Sequence, residues 1–278
     1  MRRVLSFVLG AAALLVAGPV SPLLAQSRTI ERTVRLEPGG QFSLRATKGS
    51  VKLVSWDRAE VEIKARIEST SMRRAAGQDA VDATTVDITG EGDAVRVRSN
   101  YDKVPREWTP FGDSRTVPDI HYEIRAPRRL EIWLDIDRSD TEISGFDGRV
   151  RIEADRSELR VEQVNGELRV RVDRGRRSRF EGVTGSVNMR ADRTDIDLRL
   201  AELQEAGRLT ASRGQVDIRV PASHPLTVRT DIDRRSRFAS DLPLTMTGST
   251  RSPGGTINGG GPTLTIIARR SRVELRPL

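Results

Sequence analysis

The chain of 278 residues has no cysteine, two histidines and 4% aromatic residues. Without cysteine there is no disulfide, no thiolate metal site and no lipid-anchored cysteine. His121 and His224 lie far apart and form no metal-spaced pair. The G-x-S-x-G, P-loop and H-E-x-x-H signatures are all missing, so the sequence offers no catalytic residues, no metal ligands and no cofactor. Few aromatics leave little to stack on bases, which argues against nucleic acid as a partner. A core built without large rings must come from Val, Ile and Leu.

Long apolar runs are also scarce. The single one follows Arg2 and Arg3, from Val4 to Ala17, and has the length of a signal-peptide h-region. Leu23-Leu24-Ala25 then supplies a small residue, so residues 1–25 read as a signal peptide cut after Ala25. Pro19 and Pro22 weigh against the alternative, an uncleaved anchor. The sequence thus predicts export to the periplasm, cell surface or medium, with no transmembrane segment left after cleavage.

What the chain has in plenty is charge in alternation. Charged residues make up 31%, and the formal net charge is +8. The charges alternate with apolar residues, as on half-solvated strands, and do not form the blocks of a disordered tail. A basic exported protein suits anionic envelope polymers or lipid head groups.

The alternation is organised by a repeat of about 18–21 residues running from Leu130 to Phe238. Two successive units read RVRIEADRSELRVEQVNG and ELRVRVDRGRRSRFEGVTG, from Arg149 to Gly185. Period two places Val150, Ile152, Ala154, Leu159, Val161 and Val164 inward, and Leu168, Val170, Val172, Phe180 and Val183 in the next unit. A unit this short cannot bury its own face, so units must stack. The expected fold is therefore all-β: a β-solenoid, a parallel β-helix-like stack of such rungs. A meandering antiparallel sheet is the rival arrangement. The stack occupies 128–278, with a Gly/Pro-rich loop at 241–262, and Thr263 to Leu275 as a last unit capping the open end. Ahead of it, 26–127 is a smaller β-rich region with one short helix within Ser71 to Asp82. There Pro38-Gly39-Gly40 interrupts a strand, and a polar loop from Asp102 to Pro118 carries Trp108 and Phe111.

Three landmarks carry a family resemblance. They are Gly49-Ser50-Val51-Lys52-Leu53-Val54-Ser55-Trp56 followed by Val61-Glu62-Ile63, then His121-Tyr122-Glu123-Ile124-Arg125-Ala126-Pro127, then the glycine-ended units with Gly259-Gly260-Gly261-Pro262. Together they resemble the exported bacterial adhesin-like β-repeat proteins of unknown function, relatives of an adhesin head domain. The resemblance implies a β-solenoid in a surface or periplasmic setting and, in some members, links to envelope stress. It brings no catalytic residues with it.

One turn departs from that family's pattern. A turn, often Asp-Arg followed by Ser, Gly or Thr, recurs and places Arg138, Arg156, Arg174, Arg193, Arg213 and Arg234 at equivalent positions, with Asp137, Asp155, Asp173, Asp192 and Asp233 before five of them. In a stack these arginines would lie about 4.8 Å apart along one edge. Two readings stand. Either the turns use local chemistry, with each arginine paired to an aspartate across rungs, or the row is an anion-binding edge, since guanidinium holds phosphate and carboxylate bidentately. The adjacent arginines oppose a calcium ladder on the aspartates. The functional expectation is a non-catalytic envelope scaffold whose partner is an anionic polymer or another envelope protein. A carbohydrate-active β-helix enzyme, or an envelope-stress accessory protein without ligand, are the alternatives.

Overall fold

The computed structural model describes residues 27–69, 71, 74–109, 112–114, 116–249 and 252–278. The leader reading falls on residues outside these. In chain order the strands are β1 (Ser27–Ala46), β2 (Gly49–Trp56) and β3 (Glu60–Glu68), then helix α1 (Arg74–Ala83), β4 (Thr85–Thr89), β5 (Gly92–Asn100), β6 (Glu107–Thr109) and β7 (Gly112–Ser114). There follow β8 (Asp119–Pro127), β9 (Glu131–Asp137), β10 (Ser139–Asp155), β11 (Leu159–Asp173), β12 (Arg177–Asp192), β13 (Asp195–Leu203) and β14 (Gly207–Ser212). The last are β15 (Gln215–Val220), β16 (Leu226–Ile232), β17 (Arg237–Ser240), β18 (Thr245–Ser249), β19 (Ser252–Ile257), β20 (Thr263–Arg269) and β21 (Arg272–Pro277). No helix among the described residues is long and apolar enough to cross a membrane.

The expected β-solenoid is corrected by the strand pairing, which closes on itself. A ring of six strands runs β1–β3–β8–β2–β10–β9 and back to β1. Two long strands make the closure. The first half of β1 pairs antiparallel with β3, and its second half, Gln41 to Ala46, pairs parallel with β9. Strand β10 pairs with β2 through Ser139 to Ser144 and with β9 through Val150 to Asp155. The sequence hid this because Pro38-Gly39-Gly40 reads as a strand break. In the fold it is a bend inside one continuous strand, with Gly39 at φ 92°.

The remaining repeats add to this barrel as extra strands in parallel register. Val150 faces Leu168 and Ile152 faces Val170, and these in turn face Val187 and Met189. All are buried, as are Phe146, Phe180 and the other positions assigned inward from Leu159 to Val183. Each long strand bends at a glycine. A Cβ on Gly166 or Gly185 would lie 2.3 or 2.2 Å from the carbonyl oxygen of the preceding repeat's glycine, at φ 131° and 113°. No other residue fits that stack.

The C-terminal end also departs from expectation. β20 and β21 do not cap the end. They insert between β14 and β16 and between β15 and β17. The region read as a Gly/Pro loop supplies β18 and β19, and β19 pairs antiparallel with β16, covering its outer edge.

Candidate binding face and ion-pair ladders

Three arrays of charge lie on this frame: a corner, and the outward faces of two sheet surfaces. The corner is where the Asp-Arg turns fall. Arg138, Arg156, Arg174, Arg193 and Arg213 all have left-handed backbone, with φ between 49° and 58°. Their amides continue the ladder through the turn: Arg138 N–H donates to Asp155 O at 3.0 Å and Arg156 N–H to Asp173 O at 2.9 Å. Each side chain from Arg156 on reaches back one repeat. Arg156 meets Asp137 at 2.9 Å, Arg174 holds both oxygens of Asp155 at 3.0 and 2.8 Å, Arg193 reaches Asp173 at 3.4 Å and Arg213 reaches Asp192 at 2.7 Å. Hydrogen bonding from Arg213 holds the Asp192 carboxyl below its ordinary range.

The third turn residue explains the recurring Ser and Thr. Ser157 Oγ accepts from Ser139 N–H at 3.1 Å and donates to Asp155 O at 2.8 Å, and Thr194 Oγ1 accepts from Gly175 N–H at 2.9 Å. These hydroxyls are buried, and each one answers a backbone group that the corner would otherwise strand. Arg234 stands apart from the other five. Its turn, Asp233-Arg234-Arg235-Ser236, is one residue longer, so Arg234 escapes the left-handed position that Arg270 takes on the adjoining repeat.

The second array covers the outward face of β13, β15 and β21. Asp197, Asp217 and Glu274 lie side by side in register, with their side chains only 13%, 15% and 8% exposed. Arginines from flanking positions close over them. Arg219 and Arg276 meet Asp217 at 3.0 and 3.1 Å, Arg272 meets Glu274 at 2.7 Å, and Arg179 and Arg199 lie 3.5 and 3.6 Å from Asp197.

The third array is on the outward face of β5, β1, β9, β10, β11, β12, β14 and β16. One row across these strands reads Arg96, Ser43, Trp133, Arg151, Arg169, Asn188, Arg208 and, past Thr265, Arg229. The next reads Arg98, Arg45, Asp135, Glu153, Arg171, Arg190. Arg96, Arg98, Arg171, Arg190, Arg208 and Arg229 are exposed and make no ion pair with any described residue. Arg171 stands directly opposite Arg190, and Arg98 opposite Arg45. A groove of about 370 Å³ is lined by Arg171, Arg190, Arg213 and Arg269 together with Asp173 and Asp192.

The structure scatters the other candidates. His121 Nδ1 lies 2.9 Å from Ser50 Oγ, and His224 Nε2 accepts from Leu203 N–H. Asp135 pairs with Arg45 and Asp231 with Arg269. Trp108 lies on β6, and Phe111 falls outside the described residues. Among the described residues no cluster of three metal-capable side chains occurs. Sequence reasoning passed over Trp133, which is 46% exposed. Its signal was legible, since Ile132, Leu134 and Ile136 point inward and so turn Trp133 out.

The fold and these arrays define an all-β protein with a closed six-strand barrel extended by extra parallel strands. No family model matches the chain, and no curated protein matches it. Eight solved chains match in structure. Among them are a "putative adhesin" from Bacteroides fragilis (TM-score 0.45, 11% identity, 90% of this chain and 97% of that one) and a "putative lipid binding protein" from Parabacteroides distasonis (0.44, 10%, 89% and 96%). A third is a "putative cell adhesion protein" from Clostridium sporogenes (0.39, 10%, 90% and 100%).

Proposed function

We propose that this chain is a non-catalytic, exported scaffold that binds an anionic polymer through arginines. The observation that carries the proposal is Arg171 opposite Arg190, both exposed and neither in an ion pair with a described residue, since Glu153 on the other side of Arg171 is held by Arg151. Like charges directly across two strands oppose folding by a few tenths of a kcal/mol or more, so stability does not ask for this pair. A ligand carrying phosphate, sulfate or carboxylate does, because guanidinium meets such groups with paired hydrogen bonds. The basic and apolar residues before Ala25 support export.

The edge formed by Arg138, Arg156, Arg174, Arg193, Arg213 and Arg234 is a second place for such a ligand. Its arginines, Arg234 apart, already hold aspartates, so a polymer there would have to displace them. The test compares two triple variants on immobilised polyphosphate. Replacing Arg171, Arg190 and Arg208 by alanine is expected to weaken binding about tenfold or more, equivalent to about 1.4 kcal/mol. Replacing Arg156, Arg174 and Arg193 is expected to leave it near wild type. The reverse result moves the site to the corner; no binding by the wild type ends the proposal.

A further inference from the structure

A cleft of about 570 Å³ opens where the β4–β5 hairpin joins β1 and β9. Its size falls within the range of small-ligand sites, about 300–1,000 Å³. Trp133 forms one wall. On one side the strand neighbour of Trp133 is Arg151, whose guanidinium carbon sits 5.2 Å from the ring centroid. On the other side the neighbour is Ser43, too short to cover the ring. Beyond Ser43 stands Arg96, so one small residue between a tryptophan and an arginine makes the notch.

The polar lining is mixed, not uniformly cationic. Asp135 is held by Arg45 at 2.7 Å and Glu153 by Arg151 at 2.6 Å, while Arg96 and Arg98 make no ion pair with a described residue, although Arg98 faces Asp87 across the hairpin. Asp87 completes the rim and accepts from Asn100 at 3.0 Å. Fixed carboxylates accept from hydroxyls, guanidiniums donate to them, and an exposed indole offers a flat apolar face. A sugar ring needs all three: polar edges with donors and acceptors, and an apolar C–H face. The two unpaired arginines add a preference for a negative substituent on that ring. Simple phosphate chains would make no use of the indole.

We infer that this cleft is a saccharide subsite, in which one ring of an acidic polysaccharide lies against Trp133 with its carboxylate or sulfate toward Arg96 and Arg98. It rests on the anionic-polymer reading and refines it. The row that begins Arg96, Ser43, Trp133 continues through Arg151 and Arg169 to Arg208. A chain leaving the cleft would therefore cross the arginine face.

The experiment uses two probes, a galacturonate oligomer and polyphosphate, on the whole chain. Trp133→Ala is expected to lower affinity for the galacturonate oligomer about tenfold, the scale of one lost stacking contact, and to leave polyphosphate binding unchanged. Trp133→Phe is expected to recover part of the loss, and circular dichroism to remain wild type because the ring is half exposed. Oligomer binding should also change tryptophan fluorescence in the wild type and not in Trp133→Phe. Equal oligomer affinity in wild type and Trp133→Ala overturns the inference while the polymer reading stands. A wild type that binds polyphosphate and no oligomer overturns it too. A wild type that binds neither probe removes both.

Discussion

Two outward surfaces of this protein carry similar numbers of arginines and treat them in opposite ways. On the face of β13, β15 and β21, every arginine sits beside a carboxylate, and Asp197, Asp217 and Glu274 are sunk beneath them. On the face of β11, β12 and β14, Arg171, Arg190 and Arg208 stand in water and pair with no described acid, the one neighbour in register, Glu153, being held by Arg151. The first arrangement is a zipper whose charges serve one another. The second leaves guanidiniums with nothing inside the chain to satisfy. Charge content therefore says little about function; the register that sets each charge against its neighbour says more.

Removing a zipper acid should produce the largest effect. Asp217→Ala strands Arg219, takes from Arg276 one of its three carboxylates, and is expected to cost about 2–3 kcal/mol. That is less than the roughly 3–5 of a fully buried pair, because both guanidiniums reach water. Denaturant unfolding would show it as a shifted midpoint with an unchanged slope. A cost below that of Arg190→Ala would dissolve the contrast between the faces.

Next comes the buried corner. Ser157→Ala removes the acceptor of Ser139 N–H and is expected to cost about 1–2 kcal/mol, the desolvation of one stranded amide. Hydrogen exchange at Ser139 should accelerate, which a general loss of packing would not confine to that amide.

A smaller effect is expected from pH. Asp192 has a folded pKa below its unfolded value, through its hydrogen bonds with Arg213. Its contribution is fully present above the unfolded carboxyl range, about 3.9, and is lost as pH falls through the lower folded pKa. Melting temperature should therefore decline in this acid window, and Asp192→Asn should make the decline shallower. An identical acid slope in the variant would remove Asp192 from the account.

The smallest stability changes belong to the exposed arginines. Arg190→Ala is expected to stay within about 0.5 kcal/mol of wild type. Arg174→Gly should also be close to neutral: a lost exposed ion pair worth about 0–1 kcal/mol and glycine's extra chain entropy of about 0.5–1 kcal/mol offset the left-handed strain of about 1–2 kcal/mol that it relieves. Equilibrium unfolding of both, beside Asp217→Ala, ranks the three regions. Marked destabilisation by Arg190→Ala would mean that the open face, too, serves folding.

Much of this was legible before the fold was known. Period-two alternation identified the buried ladder, down to Val150, Ile152 and Leu168. The recurring Asp-Arg turn identified the corner, because one turn chemistry repeated at one spacing must stack in one place. Closure was not legible. Pro38-Gly39-Gly40 is compatible with a break or a bend, and only the pairing of β1 with both β3 and β9 decides between them. Nor was the insertion of β20 and β21 between β14/β15 and β16/β17. A strand's alternation records which side faces the core and not which strand lies beside it.

The sequence by itself determined the strands of the repeat, their inward sides and the turn that puts arginine at a corner, since these depend on residues close in the chain. The tertiary structure alone decided which charges meet. Asp217 lies under Arg276, 59 residues away, and Arg171 faces Arg190 across a strand pair. Charges interact over a few ångströms of space, whatever their separation along the chain. So the difference between a self-paired zipper and an open cationic face was set when the strands found their neighbours.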